Sequence, residues 1–482
     1  MSNDLFGRTL ASLFWQFLGV GGQRIVQLVA PIVLWRLLPE TDLGLFAIVL
    51  AGIGVIESLT VFVGEQVSIW SDRGAERRYL DTVFTVRVLR SLVITAVLVP
   101  LAWPFAWFFR DPATEARYWL PGLFLVLALN GLLDSVQSPA RAAHMKGLDF
   151  RRVALGDFVA ALLGTGLTLL FAWLWRDVWS LLIGHLAATA IRSIVSYVVA
   201  PHWPRPNFDR DTLKELLHYN LGAAGTPFLL VMIFSSGALV LGKIIGKSAV
   251  AVYDGAGRLA KLPEDVFLRV LAPVAVPAYV VVKDDQARLA RAWLGAVRAF
   301  LLVGTPMTVA MAWCGDALPR AAFGDKYVAV PGLFALLSVH GGLAGLKSVI
   351  GPLFWAVGRP QLDRAAQFWR CLTIYALGIP AAWYGGVIGF AAAVCIAILV
   401  ALCYSLARAL AIVGLRTSDL ANTVRGGGAI GAGLLAALTL VDLLFDPAGW
   451  WRVGAAGVVS GPLLAVLMLN LLRKRPRAPT AP

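Results

Sequence analysis

Apolar runs recur along the whole chain at lengths of about 20 residues, the length an α-helix needs to cross the hydrocarbon core of a bilayer. Short polar turns separate them. The pattern predicts fourteen spans, at 11–34, 43–67, 80–108, 117–139, 153–174 and 178–200, then 216–240, 249–280, 290–313, 328–352, 364–382, 386–408, 427–445 and 450–472. Between the sixth and seventh lies Pro201-His202-Trp203-Pro204-Arg205-Pro206-Asn207-Phe208-Asp209-Arg210-Asp211-Thr212-Leu213-Lys214-Glu215. Its prolines cannot continue a helix and its charges cannot sit in lipid, so it reads as a linker between two embedded halves. The expected organisation is a six-helix lobe over 1–200, a linker over 201–215, a second six-helix lobe over 216–408, and two additional helices with a basic tail over 409–482. The fold class is an all-α integral membrane protein.

Composition excludes the alternative of a large soluble core. Of 482 residues, 59% are hydrophobic and 15% charged, with mean hydropathy +0.76, whereas a soluble domain carries about 25% charged residues. Met1 to Asp4 shows no basic region leading into a short cleavable apolar run, so no signal peptide is expected. Cys314, Cys371, Cys395 and Cys403 lie in or beside apolar runs without CxxC spacing and read as packing residues.

The net charge is +14. In a membrane chain that excess sets topology rather than attracting nucleic acid. With fourteen spans, 23 Lys and Arg fall on the side of the termini and 9 on the other, so both termini and the 201–215 linker are expected in the cytoplasm. No loop is long enough to form a catalytic domain, which argues against a membrane ligase or polymerase.

Charges inside the spans are then the candidate chemistry, because an ionised side chain avoids lipid and marks either a hydrated interior or a buried pair. Arg24 stands near the middle of the first span beside Gln16, Gln23 and Gln27, a face that suits either a lumen or a glycine-rich helix contact. Glu57, in the second span, fits a counter-ion to Arg24 or a site for a coupling cation. Arg87 and Arg90 begin the third and either join that site or snorkel to headgroups. In the eighth, Asp254, Arg258, Lys261, Asp265 and Arg269 share one helical stripe, suited to a cavity wall or to a salt-bridged seam. Arg192, Arg298, Lys347, Arg370 and Asp442 lie in other spans. Asn130, Asp134 and His185 are explained equally well by hydrogen bonds between helices. The basic excess favours an anionic, phosphate-bearing substrate.

Three turns carry a resemblance to a known family: Leu37-Leu38-Pro39-Glu40-Thr41-Asp42-Leu43-Gly44-Leu45-Phe46-Ala47, then Leu241-Gly242-Lys243-Ile244-Ile245-Gly246-Lys247-Ser248-Ala249-Val250-Ala251-Val252-Tyr253, with Ala251 where the pattern usually has glycine, and Ala356-Val357-Gly358-Arg359-Pro360-Gln361-Leu362. With the 6 plus 8 spacing, they resemble the polysaccharide transporters, the O-antigen and exopolysaccharide flippases of the multidrug/oligosaccharidyl-lipid/polysaccharide exporter superfamily. The resemblance implies a non-enzymatic, multi-pass protein of the bacterial inner membrane. It further implies two pseudo-symmetric lobes around a V-shaped cavity and alternating access. The expected cargo is an undecaprenyl-pyrophosphate-linked oligosaccharide, moved from the cytoplasmic to the periplasmic leaflet.

On this basis Arg24, Arg258, Lys261 and Arg298 are expected to hold substrate, and Glu57, Asp254 and Asp265 to couple transport to Na+ or H+. No catalytic residue, metal or other cofactor is expected. The implied partners are the glycolipid, the bilayer, a polysaccharide polymerase and a chain-length regulator. A cation-coupled multidrug exporter and a peptidoglycan-precursor flippase of the same superfamily remain the alternatives.

Overall fold

The computed structural model of the chain describes residues 29–60, 76–111, 117–141, 150–223, 225–265, 279–324, 330–445 and 450–473, with a few isolated positions between them. Among these residues every regular element is helical. Nine helices among the described residues are long and apolar enough to cross a membrane, so the chain is an all-α, multi-pass membrane protein. It divides into two compact units, Met1–Lys243 and Ile244–Pro482.

The first unit contains α1 (Glu40–Ser58), α2 (Arg77–Phe108), α3 (Leu120–Ser135), α4 (Phe150–Trp175), α5 (Val178–Val199), the short amphipathic α6 (Arg210–Ala223) and α7 (Thr226–Ile244), which closes it. Val49 of α1, Leu98 of α2, Leu123 and Phe124 of α3 and Leu182 of α5 form its main buried cluster. Lipid is as apolar as these side chains, so helices in a bilayer associate by close packing rather than by escape from water. The α4–α5 hairpin shows the device: a Cβ on Gly164 would lie 2.8 Å from the Cα of Ala188, and one on Gly184 would lie 2.8 Å from that of Thr168. Asp177 starts α5 by accepting a hydrogen bond from the backbone N–H of Ser180.

The linker is a docked strap. Its prolines hold residues 201–209 out of helix, and its polar groups find partners on the first turns of α2. His202 Nε2 lies 2.8 Å from Asp81 Oδ1, which also accepts from Arg205 N at 3.2 Å. Thr85 and Thr82 hydroxyls accept from Asn207 N and Asp209 N, both at 3.1 Å. Asp209 then caps α6 through Thr212, and Leu216 buries against Val67, Tyr79 and Val83.

The second unit contains α8 (Lys247–Ala260), α9 (Gln286–Cys314), α10 (Ala317–Phe323), α11 (Leu333–Ala356), α12 (Pro360–Val413), α13 (Thr417–Phe445) and α14 (Trp450–Arg473). Trp293 and Phe300 of α9, Leu353 and Phe354 of α11 and Leu402 of α12 form its main cluster. Two expected spans, 364–382 and 386–408, are the limbs of α12. The chain reverses at Gly386, whose φ of 60° and ψ of −146° only glycine adopts freely. Phe390 then packs back on Gly378, and a Cβ on Gly389 would overlap the carbonyl of Ala381. Gly358, with φ 71°, makes the turn between α11 and Pro360 at the first position of α12.

Candidate functional site

In the first unit, three helices meet where two of them end. The last carbonyls of an α-helix have no partner within it and carry the negative end of its dipole, so they call for a cation. Two arginines one turn apart on α2 answer that need. Arg87 donates from Nε to Ser135 O at 2.8 Å and also to the carbonyl of Gln137, closing α3. Arg90 donates to Glu57 O at 2.9 Å, to Thr60 Oγ1 at 3.2 Å and to the carbonyl of Thr60, closing α1.

The two helix ends and the face of α2 enclose a cavity of about 240 Å³ lined by Glu57, Arg87, Arg90, Ser91, Asn130 and Asp134, among others. Its acidic and basic groups sit on different helices. Asp134 accepts from Gln137 Nε2 at 2.6 Å, and Asn130 Oδ1 accepts from Thr189 Oγ1 of α5 at 2.7 Å. Glu57 is different: its carboxylate makes no hydrogen bond among the described residues, and Arg90 and Asp134 are its charged neighbours. It can approach α3 because position 131 has no side chain, a Cβ there falling 2.8 Å from Glu57 Oε1. The cavity therefore combines an available carboxylate with two guanidiniums already engaged by backbone. That arrangement suits a small cation or a hydroxyl-rich group better than a second strong anion.

Of the residues singled out from sequence, Glu57 faces this cavity, and Asn130, Asp134, Arg87 and Arg90 join it there. Arg24 and Arg269 lie outside the described residues. In the second unit, Arg258 Nε pairs with Asp254 at 2.8 Å, with both side chains about half exposed. A one-residue turn at Lys261 follows α8, two residues before Pro263, whose missing N–H cannot bond the carbonyl of Leu259. Lys261 and Asp265 flank this segment, half-buried, and Arg298 is exposed on α9.

A second polar cluster is buried between α11 and α12. Lys347, 7% exposed, donates to Asp363 at 2.7 Å. Arg370, 4% exposed, donates to Nε2 of His340, itself 6% exposed, at 3.1 Å. Lys347 and Arg370 are visible in the sequence as cations inside spans, whereas His340 and Asp363 are not evident as their partners. Helical spacing was the available signal: 340 and 347 share a face of α11, and 363, 367 and 370 share a face of α12. Among the described residues, no group of three His, Cys, Asp or Glu side chains is placed to hold a metal ion.

Residues 33–331 match the family described as "Polysaccharide biosynthesis protein". The chain is similar to the amylovoran biosynthesis protein AmsL of Erwinia amylovora, 24% identical over 290 residues that cover 60% of this chain and 73% of that protein. It is also similar to the succinoglycan biosynthesis transport protein ExoT of Rhizobium meliloti strain 1021, 22% identical over 377 residues, or 78% and 74% of the two. Among solved structures, the lipid II flippase MurJ in an inward closed conformation superposes with a TM-score of 0.72 at 14% identity, covering 95% of this chain and 98% of that one. The two share a fold.

Proposed function

The chain belongs to the polysaccharide biosynthesis protein family, and from that membership we propose that it is a flippase for an undecaprenyl-pyrophosphate-linked oligosaccharide destined for a surface polysaccharide. It is a membrane transporter of the multidrug/oligosaccharidyl-lipid/polysaccharide exporter superfamily and acts without catalysis. The observation that supports the finer reading is the polar cavity of the first unit, because ionised side chains among apolar spans gather in buried pairs or around a hydrated space, and Glu57 has no hydrogen-bonded partner among the described residues. Its relatives' names, which refer to amylovoran biosynthesis and succinoglycan transport, support a secreted glycan as cargo.

The proposed cycle makes and breaks no bond. Fourteen spans form two lobes, with both termini and the 201–215 strap on the cytoplasmic face of the inner membrane. Arg24, Arg258, Lys261 and Arg298 hold the pyrophosphate and its first sugars while the lipid tail stays in the bilayer. Arg258 must exchange Asp254 for phosphate to do so, a swap that bidentate guanidinium geometry favours. Glu57, Asp254 and Asp265 bind the coupling Na+ or H+, and alternating access carries the headgroup across. A polysaccharide polymerase and a chain-length regulator receive it.

The test is complementation of a deletion strain with wild type and with Arg258→Gln/Lys261→Gln, membrane abundance being matched. Loss of polysaccharide export with the double variant is expected, and undiminished export removes these two residues from the pathway. Drug susceptibility and essentiality of the same deletion separate this reading from a multidrug exporter and from a peptidoglycan-precursor flippase.

A further inference from the structure

The 201–215 strap turns its polar side inward and its aromatic side outward, the reverse of a loop that meets only water. His202, Asn207 and Asp209 face α2 and bond to Asp81, Thr85 and Thr82. Between them the side chains of Trp203 and Phe208 point away, 80% and 59% exposed. The inner hydrogen bonds fix which side chains are left outside, so the outward rings are built into the way the strap is docked.

Those rings continue the lipid-facing side of α5. Ile194 and Val198, near the end of that span, are 65% and 76% exposed, and Tyr197 shares their helical face. Trp203 stacks on Tyr197, with ring centroids 5.6 Å apart and the planes 28° from parallel. The strap therefore leaves α5 with an indole at the edge of the apolar surface, the depth at which tryptophan is enriched in membrane proteins.

Unpaired cations lie among the rings. Arg205, Arg210 and Lys214 of the strap and Arg78 at the start of α2 are exposed, and none of the four has a carboxylate partner among the described residues. The nearby acids are mostly taken: Asp209 and Glu76 by Arg73, at 3.1 Å and 3.4 Å, and Asp81 by His202. Asp211 stands in the first turn of α6, where it complements the helix dipole. With Glu215, two carboxylates remain against four cations. A soluble acidic partner would answer the charges, but it gives no reason for the aromatic rings to extend the lipid-facing side of a span. An anionic leaflet answers both, since aromatic rings settle at the headgroup boundary while guanidiniums donate to phosphate.

We infer that the outer face of the strap is a binding surface for anionic phospholipid, with Trp203 and Phe208 seated at the headgroup boundary and Arg205 and Arg210 on the lipid phosphates. The surface belongs to the resting protein and does not depend on which cargo is carried. Because the inner face is bonded to Asp81, Thr82 and Thr85, lipid held on the outer face also fixes the first turns of α2 at the membrane surface.

The test places p-benzoylphenylalanine at position 208 of the full chain, an aromatic ring for an aromatic ring, in vesicles of phosphatidylcholine alone and of equal parts phosphatidylcholine and phosphatidylglycerol. Irradiation followed by mass spectrometry identifies what the ring touches. Phospholipid adducts are expected in both, with phosphatidylglycerol enriched over its share in the mixed vesicles. Arg205→Gln and Arg210→Gln are each expected to lower the ratio of phosphatidylglycerol to phosphatidylcholine adducts about fivefold at low ionic strength, and added salt to lower it in the wild-type background. Adducts to peptides of this chain or of a second copy in place of lipid overturn the proposal, as does a lack of lipid adducts. Lipid adducts without enrichment, or enrichment that survives loss of both arginines, overturn the anionic recognition. Hydrogen exchange over residues 201–216 checks that the strap is still docked in each variant, and the same probe at position 203 repeats the measurement if substitution of Phe208 undocks it.

Discussion

Arg90 donates from Nη2 to the backbone carbonyl of Glu57 at 2.9 Å, so it caps the helix that carries the carboxylate and leaves the carboxylate itself available. Structure and chemistry at this point are separable. Arg90→Gln is expected to lower stability by about 1–3 kcal/mol, because the carbonyls at the end of α1 lose a charged donor. Glu57→Gln is expected to keep wild-type stability and lose transport. Thermal unfolding in detergent and glycolipid transport in vesicles check the two halves; equal destabilisation by both variants would make Glu57 a structural residue.

The Lys347–Asp363 pair makes a second test of what holds the membrane core. Removing one partner of a buried pair strands the other, and Lys347→Met alone should destabilise by roughly 3–5 kcal/mol. Lys347→Met combined with Asp363→Leu should recover most of that loss, since two apolar side chains need no partner. Thermal unfolding of the two single variants and the double variant, read as a cycle, gives the coupling.

Packing of α4 on α5 depends on the missing side chain at position 164. A Cβ there falls 2.7 Å from that of Ala188 and 2.8 Å from its Cα, so Gly164→Val must push the hairpin apart. The expected cost is about 1–3 kcal/mol. Gly166→Val is the control, because a Cβ at that position meets nothing within 4 Å.

The strap gives a pH dependence whose sign is fixed by Asp209. The Thr212 hydroxyl, then the Thr212 N–H, and then Arg73 hold its carboxyl below the usual range. A carboxyl lowered in the folded state contributes stability above its unfolded pKa, and that contribution is lost as pH falls through the folded value. Hydrogen exchange over residues 201–216 should therefore rise on acidification through the low carboxylate range, and Asp209→Asn should flatten that rise.

The chain by itself determined the solvent it folds in. Runs such as 178–199 and 226–244 pair their backbone groups within a helix, apart from the end turns, because lipid offers no partner, and that constraint can be read from hydropathy without any contact. It also determined where helices stop, as at Gly358-Arg359-Pro360 and Gly386, since those backbone angles and the missing proline N–H are local properties. That Arg258 pairs with Asp254 follows from spacing on one helix. What only the tertiary structure decided is which groups from different helices meet. Arg87 and Arg90 closing two helix ends, Glu57 lying against Gly131, His340 under Arg370, and a proline-rich linker seated on Asp81 all depend on how helices far apart in sequence lie together. Helical periodicity assigns a side chain to a face, and the partner of that face is fixed by packing alone.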